Sequence, residues 1–221
     1  MSYQETRNSY LNCEKRIFDG AGPFDIPEIL PEEIDLNNTN LVGANYAKSE
    51  KDPENNILHF YLDDYQFDRF WNCPSIYLPM LSKFKAVLSP DFSLYTDFPK
   101  AVQIFNHYRK HWLARYWQEN GIKVIPTICW SDKESFEWCF DGEPRNSTIS
   151  ISVVGCNKSE QMKHDFWAGF SKALEVLTPK RILLFKGNSQ IQLPDCGSAE
   201  LIEFKNNNLA RAKAAYEEKI K

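Results

Sequence analysis

The sequence predicts an α/β protein with a mostly parallel sheet, in the form of a closed or incomplete (β/α) TIM-like barrel with an irregular N-terminal arm. From Leu41 onward, short apolar runs alternate with segments of helical spacing. The runs are apolar on both faces, as in parallel strands covered by helices. No Gly-x-Gly-x-x-Gly turn follows a strand, which disfavours a dinucleotide-binding sheet. An open, doubly wound sheet is the alternative architecture.

Two regions follow from this pattern, an arm over residues 1–40 and a single α/β domain over residues 41–221. The arm contains the segment FDIPEILPEEIDLNNTN, which has two prolines and no clean period. The predicted strands cover residues 41–46, 56–64, 85–89, 123–130, 147–155, 181–187 and 199–204. The predicted helical segments cover residues 66–84, divided by Pro74 and Pro79, and residues 99–120, 133–142, 159–178 and 208–221.

The long helix at 99–120 has apolar residues at 101, 105, 108, 112 and 116, which predicts that this stripe is its buried face. The charged side chains at 100, 109, 110 and 115 are then expected to form its polar surface. Asn120-Gly121 ends the segment as helices commonly end.

Composition excludes several classes of function. The net charge is −4 and acids and bases are mixed along the chain, so we expect no dedicated duplex-DNA binder. No run of eighteen apolar residues and no apolar signal region is present, which predicts a cytoplasmic protein without a membrane partner. Six cysteines without a C-x-x-C pair indicate reduced thiols rather than a disulfide framework or a cysteine zinc site.

Polar residues that follow the predicted strands are the candidate ligand-binding residues. The carboxyl ends of parallel strands meet at one edge, where α/β proteins bind ligands. We predict that a ligand contacts Tyr65, Ser89, Ser93, Thr127, Trp130, Gly155, Cys156, Asn157, Gly187 and Asn188. Tyr65 and Trp130 would stack on a base or sugar, and amides near the two glycines would hold phosphate. Ordinary tight turns are the alternative explanation for the glycines.

Asp91 is the strongest catalytic candidate, as general base or metal ligand, with Asp63 and Asp132 as its partners. It follows a buried strand but precedes the next helix by eight residues, so it caps no predicted helix. A carboxylate there must be solvated, hydrogen-bonded or paired. A local Pro-Asp turn with Ser93 is the structural alternative. The span 89–98 is predicted to fold over the site.

If the three aspartates converge, two chemistries are available. Paired carboxylates can act as acid and base at a glycosidic bond. They can also hold Mg²⁺, which prefers oxygen ligands and keeps most of its waters. Magnesium is therefore a possible cofactor, although the sequence identifies no complete metal site.

Several acidic residues also have a capping explanation. Asp64 and Asp97 each precede a helical segment whose free N–H groups they are predicted to cap. Ser131 and Glu134 match the capping box, with Asp132 in the first turn. Capping alone would account for these side chains.

The histidines indicate little from sequence. His107 and His111 are four residues apart on one helix, a spacing that can bind metal, but Tyr108 stands where a metalloprotease has glutamate. We expect both on a partly exposed flank. No serine nucleophile elbow or Walker loop is present.

Four segments resemble the signature motifs of the domain-of-unknown-function family numbered 4417. They are HFYLDDYQFDRFWNCP, VLSPDFSLYTDFP, GIKVIPTICWSDKESFEWCFDG and ISISVVGC. The resemblance implies no activity but a setting in phages, plasmids and other mobile elements, and hence a host cytosol. The motif FDGIP that is usual in the family reads FDGEP here, with Glu143 in place of the isoleucine. We expect little functional consequence because the loop at 141–147 is predicted on the opposite edge.

Three functions remain open from sequence. The first is a hydrolase of a nucleotide-like or sugar-phosphate molecule, serving counter-defence by destroying a host signalling nucleotide. The second is a non-catalytic protein that sequesters a small molecule or binds a host protein. The third is an accessory protein of phage or plasmid DNA replication that binds single strands by aromatic stacking. The oligomeric state is undetermined.

Overall fold

The computed structural model describes residues 17–156, 158–187, 189 and 195–205 of the chain. Its strands are β1 (Gly20–Ala21), β2 (Ile26–Pro27), β3 (Asn40–Gly43), β4 (Asn56–His59), β5 (Ala86–Leu88), β6 (Val124–Ile125), β7 (Thr148–Ser152), β8 (Arg181–Gly187) and β9 (Glu200–Lys205). Its α-helices are α1 (Asp68–Asn72), α2 (Pro74–Leu81), α3 (Lys100–Glu119) and α4 (Glu160–Leu177). Short 3-10 helices cover Ala44–Tyr46, Pro53–Asn55, Asp64–Gln66 and Lys133–Glu137.

The main strands are parallel and lie side by side in chain order. One sheet has the order β3-β4-β5-β6 and the next has the order β7-β8-β9, with every neighbouring pair parallel. A parallel bridge between Thr127 and Ser150 joins the two sheets. The predicted parallel arrangement is confirmed. Within the described strands the order never reverses, so the switch point of a doubly wound sheet is missing.

The sheets curl strongly toward one another. The Tyr61 hydroxyl, two residues after β4, lies 2.6 Å from Oγ of Ser150 on β7. The Tyr61 ring also stacks on Phe185 of β8, with ring centroids 5.0 Å apart. In a flat sheet, β4 and β8 would be separated by about 19 Å, four strand spacings. Among the described strands β9 does not pair with β3, so the closed form of the predicted barrel is not confirmed.

Alternation along the strands divides the core into layers. Successive side chains of a strand point to opposite faces, so Ile57 lies on the concave side of β4 and Leu58 on the helix side. The concave cluster contains Leu41, Ile57, Ala86, Leu88, Ile125, Leu183, Phe185 and Phe204, contributed by six strands. The helix-side clusters are built around α3 and around α4.

Helix α3 buries only part of the predicted apolar stripe, together with polar residues that were expected on the surface. Trp112 is buried, whereas Ala101 and Phe105 are exposed. The polar residues Gln103, Asn106, His107 and Lys110 are also buried. Their hydrogen bonds, largely to backbone carbonyls, explain how polar side chains occupy an interior. Lys110 is therefore a core residue and not part of the polar surface.

Two predicted elements are shorter than expected. The strand predicted at 123–130 forms only over Val124–Ile125, because Pro126 has no N–H for the ladder. The helix predicted at 133–142 is a 3-10 helix over Lys133–Glu137. The helix predicted at 208–221 lies outside the described residues. In the described part of the chain, no helix has both the length and the apolar character that crossing a membrane requires.

Candidate functional site

Asp91 lies three residues beyond the carboxyl end of β5, and its side chain is partly accessible. None of the described donors hydrogen-bonds to its carboxylate. Burial raises the pKa of Asp91 to about 7; Lys110 lowers it and Asp64 raises it further. A carboxyl group with a pKa near neutrality exchanges a proton readily at the pH of a cell, which is what acid–base catalysis requires.

Three side chains that interact electrostatically with Asp91 follow different strands of the sheet, and they are Tyr61, Cys129 and Cys156. Burial, with Asp91 as the next cause, raises the pKa of the Tyr61 phenol well above 10. The Cys156 thiol has a pKa raised to about 11 by burial and by Asp91. Burial and, to a smaller extent, Asp91 raise the pKa of the Cys129 thiol to about 12, against the effect of Lys110. These thiols are protonated at neutral pH and are not poised as nucleophiles.

Lys110 supplies the buried positive charge beside this site. Its ammonium donates to the Thr127 carbonyl at 2.9 Å and to Oε1 of Glu143 at 2.6 Å. Burial lowers the pKa of Lys110, but Cys129, Glu143 and Asp91 together raise it above its usual value. The lysine therefore stays charged and favours the ionised form of Asp91.

The loop at 89–98 is anchored at the two residues that follow Asp91. The Asp64 carboxylate accepts hydrogen bonds from the Ser93 amide and from its hydroxyl, the latter at 2.9 Å. The Asn106 side chain donates to the Ser93 carbonyl at 2.7 Å. The Arg109 guanidinium lies 3.6 Å from the centroid of Phe92. The predicted cap at Asp64 is wrong, because this carboxylate holds the loop instead.

Asp63 and Asp132 are engaged elsewhere. Asp63 is exposed and precedes the 3-10 helix Asp64–Gln66 without capping it through its side chain. Asp132 caps the helix Lys133–Glu137, and its carboxylate accepts from the amides of Glu134 and Ser135. Among the described carboxylates, Asp64 is the one whose charge raises the pKa of Asp91. A catalytic pairing of Asp91 with Asp63 or Asp132 stays a prediction.

Ser89 and Thr127 tie two neighbouring strands together. The Ser89 hydroxyl accepts from the Thr127 amide, and the Thr127 hydroxyl donates to the Ser89 carbonyl, both at 2.8 Å. Both residues are fully buried. Their bonds explain these side chains without a ligand, and their predicted contact with one remains untested.

The two predicted stacking residues have different environments. The Tyr65 side chain is 76% exposed, so its ring is free to contact a ligand. The Trp130 indole donates to the Asp165 carbonyl and packs against Gly169 and Phe166 of α4. Trp130 therefore helps to seat α4 against the body of the protein.

The predicted phosphate-binding segments are only partly described. Gly155 is exposed, has a φ of +86°, and has open space where a Cβ would lie. Gly187 is buried with a φ of +56°, and a Cβ there would approach Val154. Asn157 and Asn188 lie outside the described residues. The turn at Gly155 and Cys156 is the part of this prediction that lies near Asp91.

A second polar cluster lies beside Lys110, and sequence reasoning did not anticipate it. His107 and His111 are both buried, contrary to the partly exposed flank that we expected. Glu143 is also buried, although its loop was predicted to be peripheral. Burial lowers the pKa of both histidines, while Lys110 and His111 hold the pKa of Glu143 below its usual value despite burial.

Two clefts are well defined elsewhere on the surface. One, of about 390 Å³, lies between the segment at 28–31 and the segment at 140–145 and is lined by Asp141 and Glu143. The other, of about 440 Å³, lies between the segment at 47–53 and α2. Neither cleft is lined by Asp91.

The buried polar residues of α3 were not predicted as core residues, although the sequence contains a pattern that they share. Gln103, Asn106, His107 and Lys110 recur at helical spacing, and polar residues on one face can be a buried network as well as a solvated surface. Tyr61 shows no such signal, because it lies within a continuous apolar run.

Comparison with known proteins finds a family and two phage relatives. The model of the family DUF4417, described as a domain of unknown function, matches residues 18–205. The chain is 35% identical over 204 residues to the "Gene 1 protein" of Mycobacterium phage L5, covering 91% of this chain and 86% of that protein. It is 35% identical over 191 residues to the "Gene 1 protein" of Mycobacterium phage D29, covering 83% and 68%. No solved structure matches the chain.

Proposed function

The chain belongs to the DUF4417 family, whose description assigns no activity, and from its own geometry we propose that it is a hydrolase in which Asp91 is the general base. The substrate class that we propose is a small nucleotide-like or sugar-phosphate molecule. The incomplete form of the predicted barrel, a curled sheet with strands in chain order, provides the framework. The observation that carries the proposal is the half-buried carboxylate of Asp91 at the carboxyl ends of parallel strands, to which no described residue donates a hydrogen bond.

The proposed step uses one water molecule. Its oxygen bonds to the electrophilic phosphorus or carbon of the substrate, its proton passes to the Asp91 carboxylate, and the leaving group departs with the bonding electron pair. Lys110 favours the ionised form of Asp91 that accepts this proton. Such a base contributes about a hundredfold to ten-thousandfold to the rate.

Substrate recognition is proposed at two places near Asp91. The exposed Tyr65 ring adjoins Asp64, which bonds to Ser93 in the loop of Asp91. The open turn at Gly155 has room for a phosphate to approach backbone amides. Mg²⁺ remains a candidate cofactor, with Asp91 and the neighbouring Asp64 as its proposed carboxylate ligands.

The test is a substrate panel with a matched pair of variants. The purified protein is incubated with nucleotides, cyclic dinucleotides and sugar phosphates, with and without Mg²⁺, and the mixtures are separated by chromatography. The relatives are phage proteins, which is why nucleotides that bacterial hosts use as signals belong in the panel. We expect turnover by the wild type, loss of at least about 99% of it in Asp91→Asn, and retention in Asp97→Asn, an exposed aspartate of the same loop. A folded, fully active Asp91→Asn protein removes Asp91 from the mechanism.

Sequestration is the second candidate function. It is favoured by Asp132, one of the two carboxylates predicted to pair with Asp91, because this side chain caps the helix Lys133–Glu137. The same panel distinguishes it, because a sequestering protein releases an intact ligand only when it is heat-denatured. Adding a labelled single-stranded oligonucleotide at two salt concentrations tests the replication role in the same series.

A further inference from the structure

His107 and His111 occupy adjacent turns of the buried face of α3 and are 1% and 0% exposed. Their ring centroids are 4.3 Å apart. Each ring has one nitrogen beside a backbone carbonyl: His107 Nε2 lies 3.2 Å from the Asp141 oxygen, and His111 Nδ1 lies 2.9 Å from the Pro27 oxygen. Since a carbonyl only accepts, both of these nitrogens must carry the proton and donate it.

The remaining nitrogen of each neutral ring then carries a lone pair. His107 Nδ1 is buried, and no residue in the described part of the chain forms a hydrogen bond with it. His111 Nε2 lies 3.0 Å from Oε1 of Glu143, so a lone pair faces a carboxylate oxygen unless a proton or another cation lies between them. Glu143 Oε1 already accepts from Lys110, which neutralises that carboxylate.

The second oxygen of Glu143 is unsatisfied. Oε2 is buried and has no hydrogen-bond partner among the described residues. A buried acceptor without a donor destabilises the folded state, because nothing compensates for its lost hydration. One carboxylate oxygen of Glu143 and one nitrogen of each histidine lie within 4.8 Å of one another.

We propose that His107, His111 and Glu143 form a binding site for a divalent transition metal ion, with Zn²⁺ as the preferred occupant. Two imidazole nitrogens and one carboxylate are a common protein ligand set for zinc, with a fourth position left for water. The Asp141 and Pro27 carbonyls accept hydrogen bonds from the other nitrogens of the two histidines and so fix the orientation of the rings. Glu143 binds through Oε2, so Oε1 keeps its hydrogen bond to Lys110.

The cleft of about 390 Å³ between the segments at 28–31 and 140–145 is lined by Glu143 and Asp141, and the Glu143 side chain itself is fully buried behind it. The site is distinct from the Asp91 carboxylate, and Lys110 is the side chain that is coupled to both. The metal proposal does not depend on the hydrolase proposal. A metal ion at this site would join Glu143 to α3 whether or not the protein has a substrate.

The first test measures metal content. The full chain is stripped with a chelator, incubated with Zn²⁺, dialysed and analysed for bound metal. We expect one Zn²⁺ per wild-type chain, and the same from His164→Ala, since His164 is exposed on α4 and lies outside the site. His107→Gln and Glu143→Gln should weaken Zn²⁺ binding by at least about a hundredfold. A wild-type chain that retains no stoichiometric metal, or variants that bind as tightly as the wild type, overturns the proposal.

The second test needs no variant and identifies the donor atoms. Co²⁺ replaces Zn²⁺ in the wild-type chain, and its absorption spectrum is recorded. A site of two histidines and one glutamate gives visible cobalt bands without thiolate-to-metal charge transfer, whereas binding by the free cysteines adds that band. Charge transfer from thiolate at one equivalent of Co²⁺ would assign the ion to cysteine and refute the His107–His111–Glu143 site, even if the variants fail to fold.

Discussion

Lys110 and Glu143, 33 residues apart in the chain, form an ion pair of 2.6 Å in which both side chains are almost completely buried. The pair joins α3 to the loop at 141–147 and lies between the acidic site at Asp91 and the two buried histidines. The Lys110 ammonium also donates to the Thr127 carbonyl, and Oε1 of Glu143 lies 3.0 Å from Nε2 of His111. It therefore organises the polar interior on which both proposals depend.

Removing one member of this pair should destabilise the protein severely. Lys110→Met leaves the Glu143 carboxylate buried beside the neutral His111, and we expect a loss of about 3–5 kcal/mol in the free energy of unfolding. Urea denaturation followed by tryptophan fluorescence measures it. The matched control is Lys172→Met, which removes a 2.7 Å pair with Glu175 on the surface of α4 and should cost less than about 1 kcal/mol. Equal losses in the two variants would show that burial does not increase the contribution of the Lys110–Glu143 pair to stability.

The carboxyl of Asp91 should make stability depend on pH in a specific direction. Its pKa in the folded protein is about 7, above the ordinary 3.8, so the unfolded chain ionises first as the pH rises. The folded state consequently loses stability between pH 3.8 and about 7. Asp91→Asn cannot ionise, and its stability relative to the wild type should increase across this range and level off above it.

Urea denaturation of both proteins at several pH values checks this prediction, with Asp97→Asn, an exposed aspartate of the same loop, as the control substitution. The groups whose charges act on Asp91 are Lys110 and Asp64, and both must be considered in the interpretation. A stability difference that is the same at low and high pH would contradict the raised pKa.

Ser89→Ala tests whether this serine is structural. The substitution leaves the buried Thr127 amide without its acceptor, and we expect a loss of about 1–3 kcal/mol in the free energy of unfolding. Ser49→Ala is the matched control, because it removes an exposed hydroxyl that bonds to the Tyr46 carbonyl at 3.0 Å. Chemical denaturation of both variants gives the comparison. If Ser89→Ala is as stable as its control, the hydroxyl is free to serve a ligand.

Gly169→Ala tests the close approach of α4 to Trp130. Alanine ordinarily stabilises a helix relative to glycine, but a Cβ at this position lies 2.2 Å from the indole. We expect overpacking to dominate and to cost about 1–3 kcal/mol. Thermal unfolding is the measurement, and Ser171→Ala, exposed on the same helix, should change little.

A second substitution separates the steric cause from a helix effect. In a Trp130→Ala background the indole is gone, and the cost of Gly169→Ala should fall to near zero or reverse. An undiminished cost in that background would mean that another contact limits the space at Gly169.

The sequence by itself determined the alternation of strands and helices, the parallel direction of the strands and the span of α4. These properties depend on local patterns: apolar runs of strand length, helical spacing, and a capping serine such as Ser159, whose side chain accepts from the Met162 amide. The sequence also distinguished Asp91 from the other aspartates, because it lies between a strand and a helix without capping that helix.

Only the tertiary structure decided which polar side chains meet. Lys110 was assigned to the surface because a charged residue beside an apolar stripe is usually solvated, and its partner Glu143 is distant in sequence. Asp132 caps a helix and Ser89 bonds to Thr127 on the neighbouring strand, and the second of these contacts joins residues far apart in the chain; their predicted roles at the site stay predictions. The burial of a charge depends on whether a partner from elsewhere in the chain compensates for its desolvation, and no local pattern contains that information.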